Sequence, residues 1–243
     1  MLDNRLSPDV QMQLMRPGQV YARAREFPVV YVPFGLIEWH GRHLPLGNDA
    51  LKAHAILVKC AEQAGGVVFP PQWVHAGFGM DAVVPVYAHL FQQLKAMGFR
   101  VIIGVSGHNV REQVEMIEQA LAPATADGTC AGAGLWEVTL SQSEESNTDH
   151  AAKWETSNMM FFYPDRVDMA ELGDGPLAPG MKPPDGIGGL DPREHASVDV
   201  GARNAELASE AIGRKARELL ESLPPQHRSF GLEKLEPGHW WYV

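Results

Sequence analysis

The chain has 243 residues, enough for one sizeable α/β domain spanning 1–243. Hydrophobic residues make up 45% and charged residues 21%, which is ordinary for a soluble globular protein, and two cysteines argue against a disulfide scaffold. The formal charge of −10 argues against a general affinity for nucleic acid or anionic lipid, and says little about a small substrate, because a pocket can carry the opposite sign to its surroundings.

In chain order, PVVYVPF at 28–34 predicts a short buried strand that delivers the chain to Gly35. A helix follows from Asp49. Ala50, Ala53, Ile56, Leu57 and Ala61 recur at helical spacing, Asp49 can cap the start, and Gly65 and Gly66 stop the run. VVFPPQWV at 67–74 reads as a strand ending in a loop, and VYAHLFQQLKAMGF at 86–99 as an amphipathic helix closed by Gly98. RVIIGVSGHN at 100–109 is a β-branched strand, followed by a helix over 110–121 and a further strand at GLWEVTL, 134–140. DHAAKWETSNMMFFYP at 149–164 predicts a helix stopped by Pro164. The segment 165–191, rich in Gly, Pro and Asp, reads as a long ordered loop, and the longest helix covers 197–223 before the aromatic tail GHWWYV. Alternation of strands and helices predicts a mostly parallel central sheet covered on both faces.

GLIEWHGRHLPLGND, 35–49, collects Glu38, His40, His43 and Asp49 within twelve positions. Glu38 and His40 project to one side of an extended segment, and the glycines permit turns that return Asp49 to the same place. Carboxylates with imidazole suit Zn²⁺, Mn²⁺ or Fe²⁺, and one Asp can bridge two ions. The alternative is a turn held by hydrogen bonds and caps. Ligands bind beyond the carboxyl ends of strands in open α/β sheets, and both this stretch and SGHN at 106–109 follow predicted strands, so His108 can meet Glu38 and Asp49. In DHAAKWETS, Glu155 could ligate a metal and His150 could move protons, facing one cavity if the helix begins between them or presents its end. Trp154 could close over a flat substrate, while Asn109 and Trp39 are further candidate substrate contacts. The blander alternative for Trp154 is packing in the core.

These segments together resemble the creatininase (creatinine amidohydrolase) family. Its first motif, G-x-x-E-x-H-G-x-H-L-P-x-x-x-D, is filled here by Gly35, Glu38, His40, Gly41, His43, Leu44, Pro45 and Asp49. SGHNVRE, HAAKWETS and GIGGLDPREHASVDVG resemble later motifs, so the likeness runs over roughly 28–211. The resemblance implies a three-layer α/β/α fold, a hexamer or other homo-oligomer, and one or two divalent metal ions. It implies that Glu38 and His108 bind one ion, His40 the other, that Asp49 bridges them, and that His150 transfers the proton. Val110 stands where creatininase proper has an acidic ligand, which argues against creatinine itself; Glu155 could complete the second metal position.

The expected activity is hydrolysis of a small cyclic or formamide-type amide by metal-activated water, with His150 and Glu155 catalytic. Opening of a cyclic ketone or lactone in cyclitol or sugar breakdown is the alternative within the family. A non-catalytic ligand-binding or assembly protein is the alternative outside it. His43 is expected to orient a ligand or loop, His54 and His89 to be surface or packing residues, and His195 to carry no chemistry. With two cysteines, no signal peptide and no apolar run near the ~20 residues of a membrane span, the expected location is cytoplasmic.

Overall fold

The computed structural model describes residues 3–75, 79–137, 149–178, 180–181 and 183–231. The tail GHWWYV and the end of the GLWEVTL run lie outside the described residues. Among the described residues, five parallel strands form one sheet: β1 (Val29–Ile37), β2 (Val67–Val68), β3 (Gln72–His75), β4 (Val101–Ser106) and β5 (Ala131–Trp136). The order is β2-β1-β4-β5, with β3 pairing along the same edge of β1 as β2 but further towards its carboxyl end. Pro70 and Pro71 separate β2 from β3, so the predicted single strand is two short ones.

Seven α-helices accompany the sheet among the described residues: α1 (Pro17–Glu26), α2 (Asn48–Ala64), α3 (Met80–Ala96), α4 (Arg111–Thr125), α5 (Lys153–Phe162), α6 (Pro192–His195) and α7 (Val198–Ser222). Alternate residues of the strands feed two cores. Val30, Val32, Phe34 and Ile102 pack on one face with Val20 of α1, Phe91 and Leu94 of α3, and Ile117 and Leu121 of α4. Val29, Tyr31, Ile103 and Val105 pack on the other with Ile56 and Leu57 of α2, Phe161 of α5, and Ala205 and Ile212 of α7. The result is a three-layer α/β/α sandwich whose strand ends and following loops share one rim.

Two local differences from the sequence expectations matter for that rim. Gly47, not Asp49, is the N-cap of α2, and the Asp49 carboxylate turns away from the helix amides to accept from the Leu36 N–H at 3.2 Å. Helix α5 begins at Lys153, so His150 precedes the helix and pairs with Gly188 in an antiparallel bridge. The helix start therefore falls between His150 and Glu155. Segment 165–191 is irregular, with two 3-10 turns, and its later part folds back over the rim.

His54 is a packing residue, buried on α2 at 6% exposure, whereas His89 is exposed. Burial alone lowers the His54 pKa to about 4, and its Nε2 has no hydrogen-bond partner among the described residues. Since the unfolded imidazole titrates near ~6.5, this site's stability is fully present above that pH and drains away as pH falls towards about 4. In urea unfolding, the stability difference between the parent and His54→Leu should shift by about 3 kcal/mol in the variant's favour between pH 7.5 and 4. A pH-independent difference would contradict this.

Candidate active site

The carboxyl ends of β1 and β4 bracket the start of α2, and two glycines make that approach possible. A Cβ added at Gly35 would lie 2.2 Å from the Ala50 nitrogen and 2.5 Å from the Asp49 Cβ; one at Gly107 would lie 2.1 Å from the Asp49 carbonyl oxygen. Asp49 is thus wedged between the ends of the two strands and fully buried. Gly107→Ala should push Asp49 out of place, costing roughly 1–3 kcal/mol of stability by overpacking and weakening divalent-ion binding in calorimetric titration. Unchanged stability and binding would contradict the wedge.

Asp49 presents its two oxygens to two different imidazoles. Oδ1 lies 2.9 Å from His40 Nε2, and Oδ2 lies 3.3 Å from His108 Nδ1. Glu38 Oε1 lies 2.9 Å from His108 Nδ1 and 3.8 Å from His40 Nε2. Glu155 Oε2, from the first turn of α5, lies 3.4 Å from His40 Nε2 and accepts from the Ala151 N–H at 2.7 Å. Ala151 takes a positive φ of 51° where the chain turns into α5.

These groups fit a divalent cation. Glu38 Oε1, His40 Nε2 and Asp49 Oδ1 are buried and without hydrogen-bond partners among the described residues, although they converge within a few ångströms of one another. Such convergence of lone pairs is costly unless protons or a metal ion sit among them. Two ligand triads share Asp49: Glu38, Asp49 and His108 form one, and His40, Asp49 and Glu155 form the other. Burial opposes protonation of both imidazoles, yet Glu155 and Asp49 around His40, and Asp49 and Glu38 around His108, raise each pKa to about 9. Despite its burial, Asp49 is held well below the usual carboxylate range by His108 and His40. A field that holds two protons so firmly is suited to exchanging them for a metal ion.

A buried lysine, absent from the sequence expectations, supports the second triad. Lys52 lies one turn after Asp49 on α2, fully buried, 2.9 Å from Glu137 Oε1 and hydrogen-bonded to Glu155 Oε1. Burial works against every charge here. Glu137 and Glu155 nevertheless keep Lys52 protonated, and Lys52 followed by His40 lowers the Glu155 pKa. Glu137 has no second donor among the described residues, so burial wins there and its pKa rises. The only early signal for Lys52 is its i+3 spacing from Asp49, which puts both on one helix face.

His43, buried, reaches Thr156 Oγ1 at 2.9 Å, tying the first motif to α5; burial, then the nearby His40, lowers its pKa to about 4. His150 stacks on His40 at 4.5 Å between centroids, and its Nε2 lies 2.7 Å from the Trp39 carbonyl oxygen. A carbonyl only accepts, so Nε2 carries the hydrogen and Nδ1 of the neutral ring is the acceptor. Asn109 Nδ2 donates to the Asp149 carbonyl at 3.1 Å and approaches Glu155 Oε1 at 3.5 Å. Asp149 caps α5, accepting from the Trp154 and Glu155 amides at 2.6 and 3.3 Å.

A cavity of about 490 Å³ opens over this cluster, and Glu38, Trp39, His108, Asn109, His150 and Glu155 all line it. Trp154 is half-buried on α5 with the Lys153 ammonium 4.3 Å from its ring centroid, and it does not line the cavity. Val110 does line it, as an apolar wall. His195 is exposed and lies elsewhere.

Comparison with known proteins agrees with this geometry. Residues 13–222 match the family described as creatininase, creatinine amidohydrolase. A mycofactocin precursor peptide peptidase of Mycolicibacterium smegmatis is 31% identical over 169 residues, which cover 63% of this chain and 65% of that protein. A protein of the same name from Mycobacterium ulcerans is 26% identical over 79% of this chain and 86% of its own length. Among solved structures, a creatinine amidohydrolase (creatininase) superposes with a TM-score of 0.72 at 19% identity, covering 90% of this chain and 100% of the other. A structure described as "Creatininase Mn" gives 0.69 at 21% identity, covering 89% and 99%. The chain belongs to the creatininase family and carries its hydrolase fold.

Proposed function

We propose that this chain is a metal-dependent hydrolase that cleaves an amide C–N bond in a small substrate. The observation that carries the proposal is the convergence of buried ligand atoms from Glu38, His40 and Asp49, unpartnered among the described residues, at a cluster whose Glu38, His108 and Glu155 line the cavity. The peptidase names of the curated relatives support an amide over other bonds. Glu38, Asp49 and His108 would hold one divalent ion; His40, Asp49 and Glu155 would hold a second, with zinc, manganese or iron suited to the donor set. Bound there, the ions would supply an activated water and polarise the substrate carbonyl.

The chain's own residues do the rest. Asp49 holds the two positions in register through its separate oxygens. Lys52 and the Ala151 amide fix Glu155 in an ionised state with Oε2 facing His40. His150, tethered through Nε2–H to the Trp39 carbonyl, keeps Nδ1 as the atom that accepts the proton released by the attacking water and passes it to the departing nitrogen. Asn109 and Trp39 contact the substrate from the cavity wall, which Trp154 does not join. We further propose that the chain acts as one domain within a cytoplasmic homo-oligomer, a hexamer by family likeness. No helix among the described residues is long and apolar enough to cross a membrane, and Cys60 and Cys130 are free and buried.

The test is a metal-resolved activity screen against cyclic amides, formamides, short peptides, lactones and keto-cyclitols. Cleavage of one of the amide classes, dependent on added Mn²⁺ or Zn²⁺ and abolished by a chelator, is expected. Turnover confined to lactones or keto-cyclitols would overturn the amide assignment.

A further inference from the structure

The cavity is far larger than the ligand cluster requires. Its volume of about 490 Å³ lies within the ~300–1,000 Å³ of pockets that hold drug-sized ligands, more than a compact ring of a few heavy atoms fills. The floor is polar, with Glu38, His108 and Glu155, but the outer wall is apolar and built from three separate segments: Trp39, Val110 and Met181 with Pro183. Trp39 and Val110 are each 36% exposed, and Met181 is 63% exposed.

The apolar groups are seated against matching backbone. A Cβ added at Gly186 would come within 2.5 Å of the Trp39 ring, so the indole lies directly on that glycine. A Cβ at Gly188 would come within 2.7 Å of Met181 Cγ and 3.3 Å of His150 Cβ. The Val110 carbonyl accepts from Trp136 Nε1 at 2.9 Å. Gly188 is also the residue that pairs with His150, through hydrogen bonds of 2.9 and 2.8 Å between their backbones. Trp39 and Met181 therefore flank His150, one through its carbonyl and the other across Gly188. A wall placed around the residue that serves the departing nitrogen lies on the amine side of the scissile bond.

We infer that this wall binds an apolar side chain carried by the departing amine, so that the substrate is an amide with an aliphatic or aromatic group of leucine or phenylalanine size beside the cleaved bond. A small ring with nothing to place there leaves the wall wet. The inference rests on the amide-hydrolase reading, and its test separates the two.

The full chain, loaded with Mn²⁺, is assayed on acetyl-glycyl-X-amides in which X is Phe, Leu or Gly. The account expects kcat/KM for Phe and Leu to exceed that for Gly by about 10–100-fold. Met181→Asp should collapse this preference towards unity, and Met181→Leu should retain it. A preference below about threefold, or one untouched by Met181→Asp, overturns the inference while leaving amide hydrolysis in place. If no amide is cleaved at all, the parent reading fails. The wall is then tested by calorimetric binding of acetyl-phenylalaninamide against acetylglycinamide. At least tenfold tighter binding of the first is expected, and equal affinity overturns the inference.

Discussion

Lys52→Met is expected to destabilise the chain by about 3–5 kcal/mol in denaturant unfolding at pH 8 with a chelator present. Methionine matches the volume of the lysine stem but leaves Glu137 and Glu155 buried without the ammonium that lies between them. The pH dependence has a definite sign. Without Lys52 both folded-state carboxyls rise above their unfolded values, so the variant gains stability as pH falls and protons neutralise them. The gap to the parent should therefore narrow between pH 8 and 5. Adding Glu137→Gln should recover part of the loss by removing one of the two stranded charges. A cost below about 1 kcal/mol, or a gap that widens on acidification, would show that Lys52 is not the counter-charge.

His150→Ala should lower kcat on any amide substrate by about 10²–10⁴-fold, the usual contribution of a positioned proton donor. KM should change only a few-fold, and the bound metal should stay at the parent level. The split follows from placement. His150 touches the cluster by stacking on His40 and is tethered to a backbone carbonyl, while the two Asp49-sharing triads are complete without it. A parallel loss of metal would move His150 into the coordination shell, where Glu38, His40 and His150 can also converge. A kcat within threefold of the parent would remove it from the chemistry.

Much of the fold could be read from apolar runs, because buried parallel strands need continuous Val and Ile while the covering helices need one apolar stripe. That is why β1, β4, α2 and α7 fall close to where the pattern puts them. The first motif was legible for a different reason: its glycines and ligands have fixed spacing. What escaped was what tertiary packing decides. Asp49 reads in sequence both as a ligand and as a helix cap; the cap is given up because the close approach permitted by Gly35 and Gly107 turns its carboxylate towards His40 and His108. Lys52 looks like the polar face of an amphipathic helix, but α2 is buried on nearly every side and its lysine answers carboxylates from β5's end and α5. The Gly- and Pro-rich stretch around Met181 to Gly188 has no periodicity to read, yet it walls the cavity. Trp154 and His150 are four apart and would stack in one helix; the helix begins after His150, and they part.

The central claim is that Glu38, His40, Asp49, His108 and Glu155 hold divalent metal. Its most direct test is equilibrium dialysis against Mn²⁺ or Zn²⁺ followed by elemental analysis of the parent and of the Glu38→Gln, Asp49→Asn double variant. Asp49 is common to both triads, so the account predicts one to two ions per chain in the parent and close to none in a folded double variant. Equal metal content in the two proteins would contradict it.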